Sequence, residues 1–565
     1  MVPRGRPQPC AVVVGGGIAG LVAARDLVHA GYRVTVLEAS GAFGGSVGSH
    51  TVAGLLLDSG AESFATRSTA VADLVTELGL GARISSPDPS GAWVQLPTGA
   101  LPLPRTGVLG IPADPWAPEV RKALGFAGSL RAALDAKLPA SVGTRAEVCS
   151  VADLVRARMG ARVLERLVAP VVGGVHSADP DVLDVDMVAP GLRQGIVKYG
   201  SLAAAVAAQR GGAQQVAVQQ SAARPGGAQP GGAQPGGAQP GAVRPGMTKA
   251  GTAVGGLTGG MFTLVAALAE ELRTAGVEMH TGHPVTGLSR AAASSAGSDW
   301  MVTAGEWSAR ADLLVVATNG PAAVQLLAPV IPELADHAPA AGPDVRLVTL
   351  VVDLPGLDAK PRGTGILVAP QTAGITAKAL THASAKWAWL ADMAGAGRHV
   401  LRLSYGRAGE NAGRAGENAG RAGENAGRAG ENAGRAGENA GRAGENAPQT
   451  TELPIADDDL LAAALSDAST LLEQEVTADV LVDWDVVRWP GSLPFAAVGH
   501  RKEVARFRDI ARQEPGLLLL GGWLAGNGLT AVVADARAEV ARALAADHMD
   551  RARHTDPIGH AEKSL

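Results

Sequence analysis

Cysteine, aromatic side chains and excess positive charge are all scarce in this chain, and each scarcity closes off a class of protein. Two cysteines, Cys10 and Cys149, stand far apart in 565 residues. That excludes a disulfide framework and a cysteine-based metal set, and it points to a reducing compartment, the cytoplasm. Twelve histidines are scattered without ligand spacing, so no metal site is expected. The net charge is −5, which leaves no basic footprint for nucleic acid. Residues Met1 to Cys10 carry arginines and prolines without signal-peptide order, and an apolar strand pattern follows at once. One uncharged window, Gly516 to Ala534, approaches the ~20 residues a membrane span needs. Gly521, Gly522, Gly526, Asn527 and Gly528 punctuate it, which suits strand, turn and helix around a buried site. No transmembrane span is expected, and peripheral membrane contact is left open. Aromatics make up 3% of the chain; Trp387 and Trp389 stand out against that background and are read first as core residues.

The positive signal is concentrated near the start. Ala11-Val12-Val13-Val14 is a short apolar run with the character of a buried strand. It leads into Gly15-Gly16-Gly17-Ile18-Ala19-Gly20, a complete G-x-G-x-x-G. A helical pattern follows, with Leu21, Ala24, Leu27 and Val28 on one face and Gly31 as its stop. A second strand, Val34-Thr35-Val36-Leu37, ends in Glu38. In such a unit the first glycine permits the tight turn and the second lets backbone approach a pyrophosphate. The third lets helix and strand pack closely. The free N–H groups at the helix start face the phosphates, and the acid accepts the ribose hydroxyls. Strand, glycines, helix, strand and acid in this order predict a dinucleotide site.

The same region contains Gly44-Gly45-Ser46-Val47-Gly48, which matches G-x-S-x-G. A nucleophile elbow needs a strand before the serine and a helix after it. Here a loop precedes and a strand-like segment follows, so Ser46 is not read as a nucleophile.

Two segments lack core-forming residues. Residues 211–246 are rich in Gly, Ala, Gln and Pro, with Gly-Gly-Ala-Gln-Pro repeated from Gly226 to Pro240, and read as a flexible linker. Residues 407–447 repeat Arg-Ala-Gly-Glu-Asn-Ala-Gly. A period of seven raises a coiled coil, but two glycines per repeat cost about 2 kcal/mol of helix propensity, and no large apolar residue occupies a and d. A solvated, disordered insert is expected.

Beyond these features the chain resembles a known family. An acid ending the second strand, then Ala39 and the Gly44-Gly45-Ser46 loop, is similar to the FAD signature of the amine oxidase and protoporphyrinogen oxidase superfamily. Ser46 stands where the family often has Lys or Arg. Asp58-Ser59-Gly60-Ala61-Glu62-Ser63-Phe64 resembles the next segment of that superfamily, and Arg166 to His176 resembles its helical-domain signature. Ala377 to Trp387, Arg402 to Arg407 and Arg488-Trp489 resemble the actinobacterial coproporphyrinogen III oxidases. Gly521-Gly522-Trp523-Leu524-Ala525-Gly526-Asn527-Gly528-Leu529-Thr530 is similar to their C-terminal flavin motif.

The resemblance implies an α/β flavoprotein: a Rossmann-like FAD-binding domain, a mixed-sheet substrate domain and a helical subdomain. The expected pieces are 9–83, 252–323 and 495–550 for FAD; 84–106, 324–406 and 451–494 for substrate; and 107–205 for the helices. It further implies FAD contacts at Gly15 to Gly20, Glu38, Ala39, Gly44 to Ser46, Gly60 to Ser63, Val285, Trp489, Gly522, Gly526, Gly528, Leu529 and Thr530. The implied reaction takes coproporphyrinogen III to coproporphyrin III in three two-electron steps. The flavin accepts hydride from a meso carbon, and molecular oxygen reoxidises it to give hydrogen peroxide. Four propionates on that substrate call for cations, and Arg67, Lys378 and Lys386 are the candidates. Contact with downstream haem-synthesis enzymes is left open. Protoporphyrinogen oxidase, an amine oxidase or carotenoid desaturase, and a flavin-binding protein without turnover are the alternatives.

Overall fold

The computed structural model describes residues 8–66, 68–104, 107–210, 254–290, 300–340, 342–406, 456–491 and 497–555. The 211–246 and 407–447 segments and Arg67 lie outside them. The apolar run at the start forms the strand Cys10–Val14, with Ala11 to Val14 almost wholly buried. Burying each such side chain contributes about 1.5–3 kcal/mol, and a strand covered on both faces belongs in a parallel sheet. It is the centre of five parallel strands, in the order 278–280, 33–37, 10–14, 313–316 and 517–519. Three distant stretches of chain therefore build one sheet.

The helix Ile18–His29 buries Leu21, Val22 and Leu27 completely against this sheet and the helices Phe262–Thr274 and Leu529–Thr555. The uncharged window at the C-terminal end resolves into the strand Leu517–Leu519, the short helix Gly522–Ala525 and the beginning of Leu529–Thr555. No described helix is long and apolar enough to cross a membrane.

A second sheet has seven strands, in the order 481–489, 345–353, 398–405, 379–382, 365–368, 93–96 and 99–102. It is mixed: only 365–368 and 93–96 run parallel. Helix Asp457–Leu472 covers one face through Leu460, Ala464 and Leu471. The hairpin of Ser49–Val52 and Leu55–Asp58 shares another cluster with Trp387, Leu390 and Val400. Trp387 is thus a core residue at 3% exposure.

Between residues 107 and 210 the chain is mainly helical and has its own core of Val120, Leu124, Leu154, Val155 and Ile196. Inside it lies an ion pair, Arg158 with Asp135, at essentially zero exposure. The guanidinium also donates to the carbonyls of Pro139, Val142, Asp135 and Gly200, and Asp135 accepts from Ala203 N–H at 2.8 Å. Removing one member of such a pair strands the other. Arg158→Met is expected to cost about 3–5 kcal/mol in urea denaturation; a loss below about 1 kcal/mol would show that the pair carries no such weight.

Candidate active site

The glycine turn shows which of its residues the protein itself requires. A Cβ on Gly15 would lie 2.7 Å from the Ala317 carbonyl oxygen, at a φ of 105°. One on Gly20 would lie 2.0 Å from the Gly15 carbonyl oxygen. Gly16 is confined as well, since its Cβ would meet the Phe43 ring at 2.4 Å. Gly17 differs. It has ordinary extended backbone, φ −71° and ψ 176°, and a Cβ there would meet nothing within 4 Å. The fold does not demand glycine at this N-cap of Ile18–His29. That vacancy fits the pyrophosphate of a dinucleotide.

The acid is in place. Glu38 accepts from Gly16 N–H at 2.7 Å and from Ser40 N–H at 2.8 Å, which fixes its carboxylate at the turn with acceptor capacity to spare. Gly44 N–H donates to the Gly16 carbonyl at 2.8 Å, so the Gly44-Gly45 loop lies directly on the turn. Gly45, Ser46 and Ala39 are exposed there. A loop before Ser46 and the strand Ser49–Val52 after it leave no elbow geometry. His283 N–H donates to the Glu38 carbonyl, which brings the Val285 segment to the same end of the sheet.

The loop 59–65 is held by all of its surroundings. Ala61 N–H donates to the Ser46 carbonyl at 2.9 Å, and a Cβ on Gly60 would lie 2.1 Å from that oxygen. The Trp489 indole donates to the Ser59 carbonyl at 3.0 Å, and Thr530 Oγ1 donates to the Ala65 carbonyl at 2.8 Å. Trp489 and Thr530 thus meet the loop, and Leu529 packs on the nucleotide-domain core. Gly526 and Gly528 leave open space where side chains would be, and Gly522 begins the short helix before them. Ser63 continues the loop into Phe64–Ala65.

At the middle of this loop Glu62 meets two cations. Arg402 Nη1 donates to it at 3.1 Å and Nη2 to the Gly60 carbonyl at 2.9 Å. Lys386 pairs with its other oxygen. Burial would raise the Glu62 pKa, but Lys386 and Arg402 outweigh it and hold the carboxyl below its ordinary value. Arg402 was given no role by the sequence reading. Its signal is an arginine inside the otherwise apolar strand Val400-Leu401-Arg402-Leu403. Lys378, by contrast, is 1% exposed and donates to Ser177 Oγ and the Gly406 carbonyl. Its charge is engaged inside the protein.

With this geometry in place the comparisons with known proteins are decisive. Residues 18–343, more than half of the chain, match the profile of the flavin-containing amine oxidoreductases. The chain belongs to that family. It is an FAD-dependent oxidoreductase, of the α/β flavoprotein class that the sequence led us to expect. The coproporphyrinogen III oxidase of Propionibacterium freudenreichii is 30% identical over 93% of this chain and 89% of its own length. That of Bacillus subtilis is 25% identical over 94% and 97%. A crystal structure from Exiguobacterium, named for protoporphyrinogen oxidase, shares the fold with a TM-score of 0.68 at 22% identity, over 95% of this chain and 99% of its own.

Two outcomes follow from the family site. Gly17→Val should fold with little change in the stability of the flavin-free protein, yet retain no FAD; Gly20→Ala should destabilise the fold itself. Thermal melts with and without FAD, beside the visible flavin spectrum, separate the two, and a yellow Gly17→Val protein would refute the assignment. The second concerns Asp58, which accepts from Met261 and Phe262 N–H at 3.0 Å each. Burial pushes its pKa up to about 6, against the pull of those amides and of Arg402. Between its unfolded value of 3.8 and about 6 the folded state keeps a proton that the unfolded chain has lost, so its contribution to stability falls as pH rises. Asp58→Asn should remove that part of the slope; an unchanged pH profile of unfolding would contradict it.

Proposed function

We propose that this chain oxidises coproporphyrinogen III to coproporphyrin III in haem biosynthesis, with FAD as electron carrier, molecular oxygen as acceptor and hydrogen peroxide as the second product. The near full-length relation to the Propionibacterium coproporphyrinogen III oxidase carries the proposal. FAD, when bound, supplies the two-electron acceptor. The chain's own task is to hold and orient. The glycine turn and Glu38 fix the nucleotide. Ser46, Trp489, Thr530, Arg402 and Lys386 fix the loop that borders it. A reduced macrocycle with four carboxylates needs cations at the rim of such a site. Lys386 lies beside the loop, and Arg67 follows two residues after Ala65.

The substrate assay decides between the branches. Protoporphyrinogen IX carries vinyl groups in place of two propionates, so a site built for four carboxylates leaves two cations poorly matched. A buried charge without a partner is costly. A preference of about tenfold or more in kcat/KM for coproporphyrinogen III, equal to about 1.4 kcal/mol, is expected from paired peroxide and porphyrin-fluorescence assays. Equal or greater efficiency with protoporphyrinogen IX would place the chain with the protoporphyrinogen oxidases. Turnover of neither by flavin-loaded protein would refute the proposal.

A further inference from the structure

Glu62 on the 59–65 loop is held by Lys386 and Arg402, and these two come from neighbouring segments. Arg402 lies in strand 398–405. Lys386 ends the short helical turn Ala383–Lys386, which follows strand 379–382. The two strands pair from Ala379 opposite Ser404 to His382 opposite Leu401, where their ladder stops. Past that point two side-chain contacts join the segments. Val400 N–H donates to Ser384 Oγ at 3.1 Å, and His382 Nε2 lies 3.0 Å from His399 Nδ1. Both histidines are buried, and their rings meet edge to face.

The surroundings give this bond its direction. The Asp358 carboxylate stands 3.2 Å from His399 Nε2, which keeps a proton on that nitrogen and leaves Nδ1 to accept. His382 therefore donates from Nε2, and its Nδ1 is buried without a partner. One added proton still leaves a single hydrogen between the rings. A second sets N–H against N–H at 3.0 Å and forces them apart. The pair borders a cavity of about 410 Å³ whose other charged residues are Lys360, Asp392 and Arg398. Lys360 is paired with Asp88 and Arg398 with Asp353, and Asp392 is exposed. Burial holds His382 down at about 3, with the His399 and Lys360 charges adding to the effect. Burial also holds His399 below its usual value, against the pull of Asp358. Once opened to water, both rings return to an ordinary pKa near 6.5. Below that pH, opening takes up protons that the closed pair refuses, so acid drives it. Asp58 acts with the opposite sign, because its folded form keeps a proton.

We infer that the His382–His399 hydrogen bond positions Lys386 and Arg402 on Glu62, and that acid opens this joint and loosens the 59–65 loop. The two histidines are positioning residues, and the inference needs neither the porphyrinogen reading nor a flavin contact at Glu62. The test is hydrogen exchange of the peptide spanning residues 59–65 in the flavin-loaded full chain. Exchange is read as protection relative to the free peptide, with circular dichroism following the fold. In the unmodified protein, protection should fall as pH drops below 6.5, by about tenfold per pH unit where one proton is coupled. His382→Gln keeps a donor near the place of Nε2 and does not titrate. It should hold full protection at neutral pH and flatten the fall to less than about threefold per pH unit. His382→Leu removes the bond and should lower protection about tenfold at neutral pH. Protection that is flat with pH in the unmodified protein, an unchanged slope in His382→Gln, or full protection in His382→Leu would each overturn the inference. So would a fall that coincides with loss of the circular dichroism signal, since that is global unfolding. If His382→Leu does not fold, the slope in His382→Gln decides.

Discussion

The close approach of bare backbone to a phosphate-bearing ligand is the constraint on which this molecule depends. At Gly17 the protein leaves open the space that a side chain would fill. That is possible only because Gly15 and Gly20 let the turn fold back on itself against Ala317 and the first helix. The strand Cys10–Val14 must then be buried on both faces, which is why its residues are apolar without alternation. The Gly44-Gly45 loop and Glu38 close on the same turn by hydrogen bonds to Gly16. Three distant pieces of chain assemble one sheet so that these groups meet at its end.

The second requirement is that the seven-stranded mixed sheet be registered against the parallel one. The 59–65 loop meets it by hydrogen bonds and ion pairs rather than by apolar packing alone. Trp489, Arg402 and Lys386 reach it from the mixed sheet and its neighbouring turn, and Ser46 and Thr530 from the nucleotide side. Removing the Trp489, Arg402, Lys386 or Thr530 side chain takes a donor from a carbonyl or a carboxylate of the loop, which burial makes costly. Chemistry that depends on placing a ring over a flavin needs that registration, and the reacting group itself needs no acid–base triad from the protein.

The nucleotide half of the site was legible because its signals are local. Strand, glycines, helix and acid lie between Ala11 and Glu38, where spacing alone dictates which groups converge. The strand, short helix and helix of the C-terminal window were legible for a related reason: its glycines break an uncharged run that would otherwise read as a membrane span. The ion cluster on the 59–65 loop was not, because Glu62 meets Lys386 and Arg402 across 324 and 340 positions of sequence, and no local period encodes such a meeting. Lys386 was singled out for a substrate carboxylate and is found paired with a protein one. Lys378 was singled out on the same grounds and proved to be an interior residue, since a lysine next to a strand carries no mark of which way its ammonium will be satisfied. Arg67 follows the same loop but lies outside the described residues.

Anaerobic mixing of the flavin-loaded protein with coproporphyrinogen III tests the central claim most directly, because it joins cofactor, substrate and electron transfer in one observation. The oxidised flavin absorbance should bleach as the porphyrinogen is consumed. On admitting oxygen the yellow colour should return, with release of hydrogen peroxide. A protein that stays yellow in the presence of coproporphyrinogen III, while a chemical reductant bleaches it readily, would contradict the account.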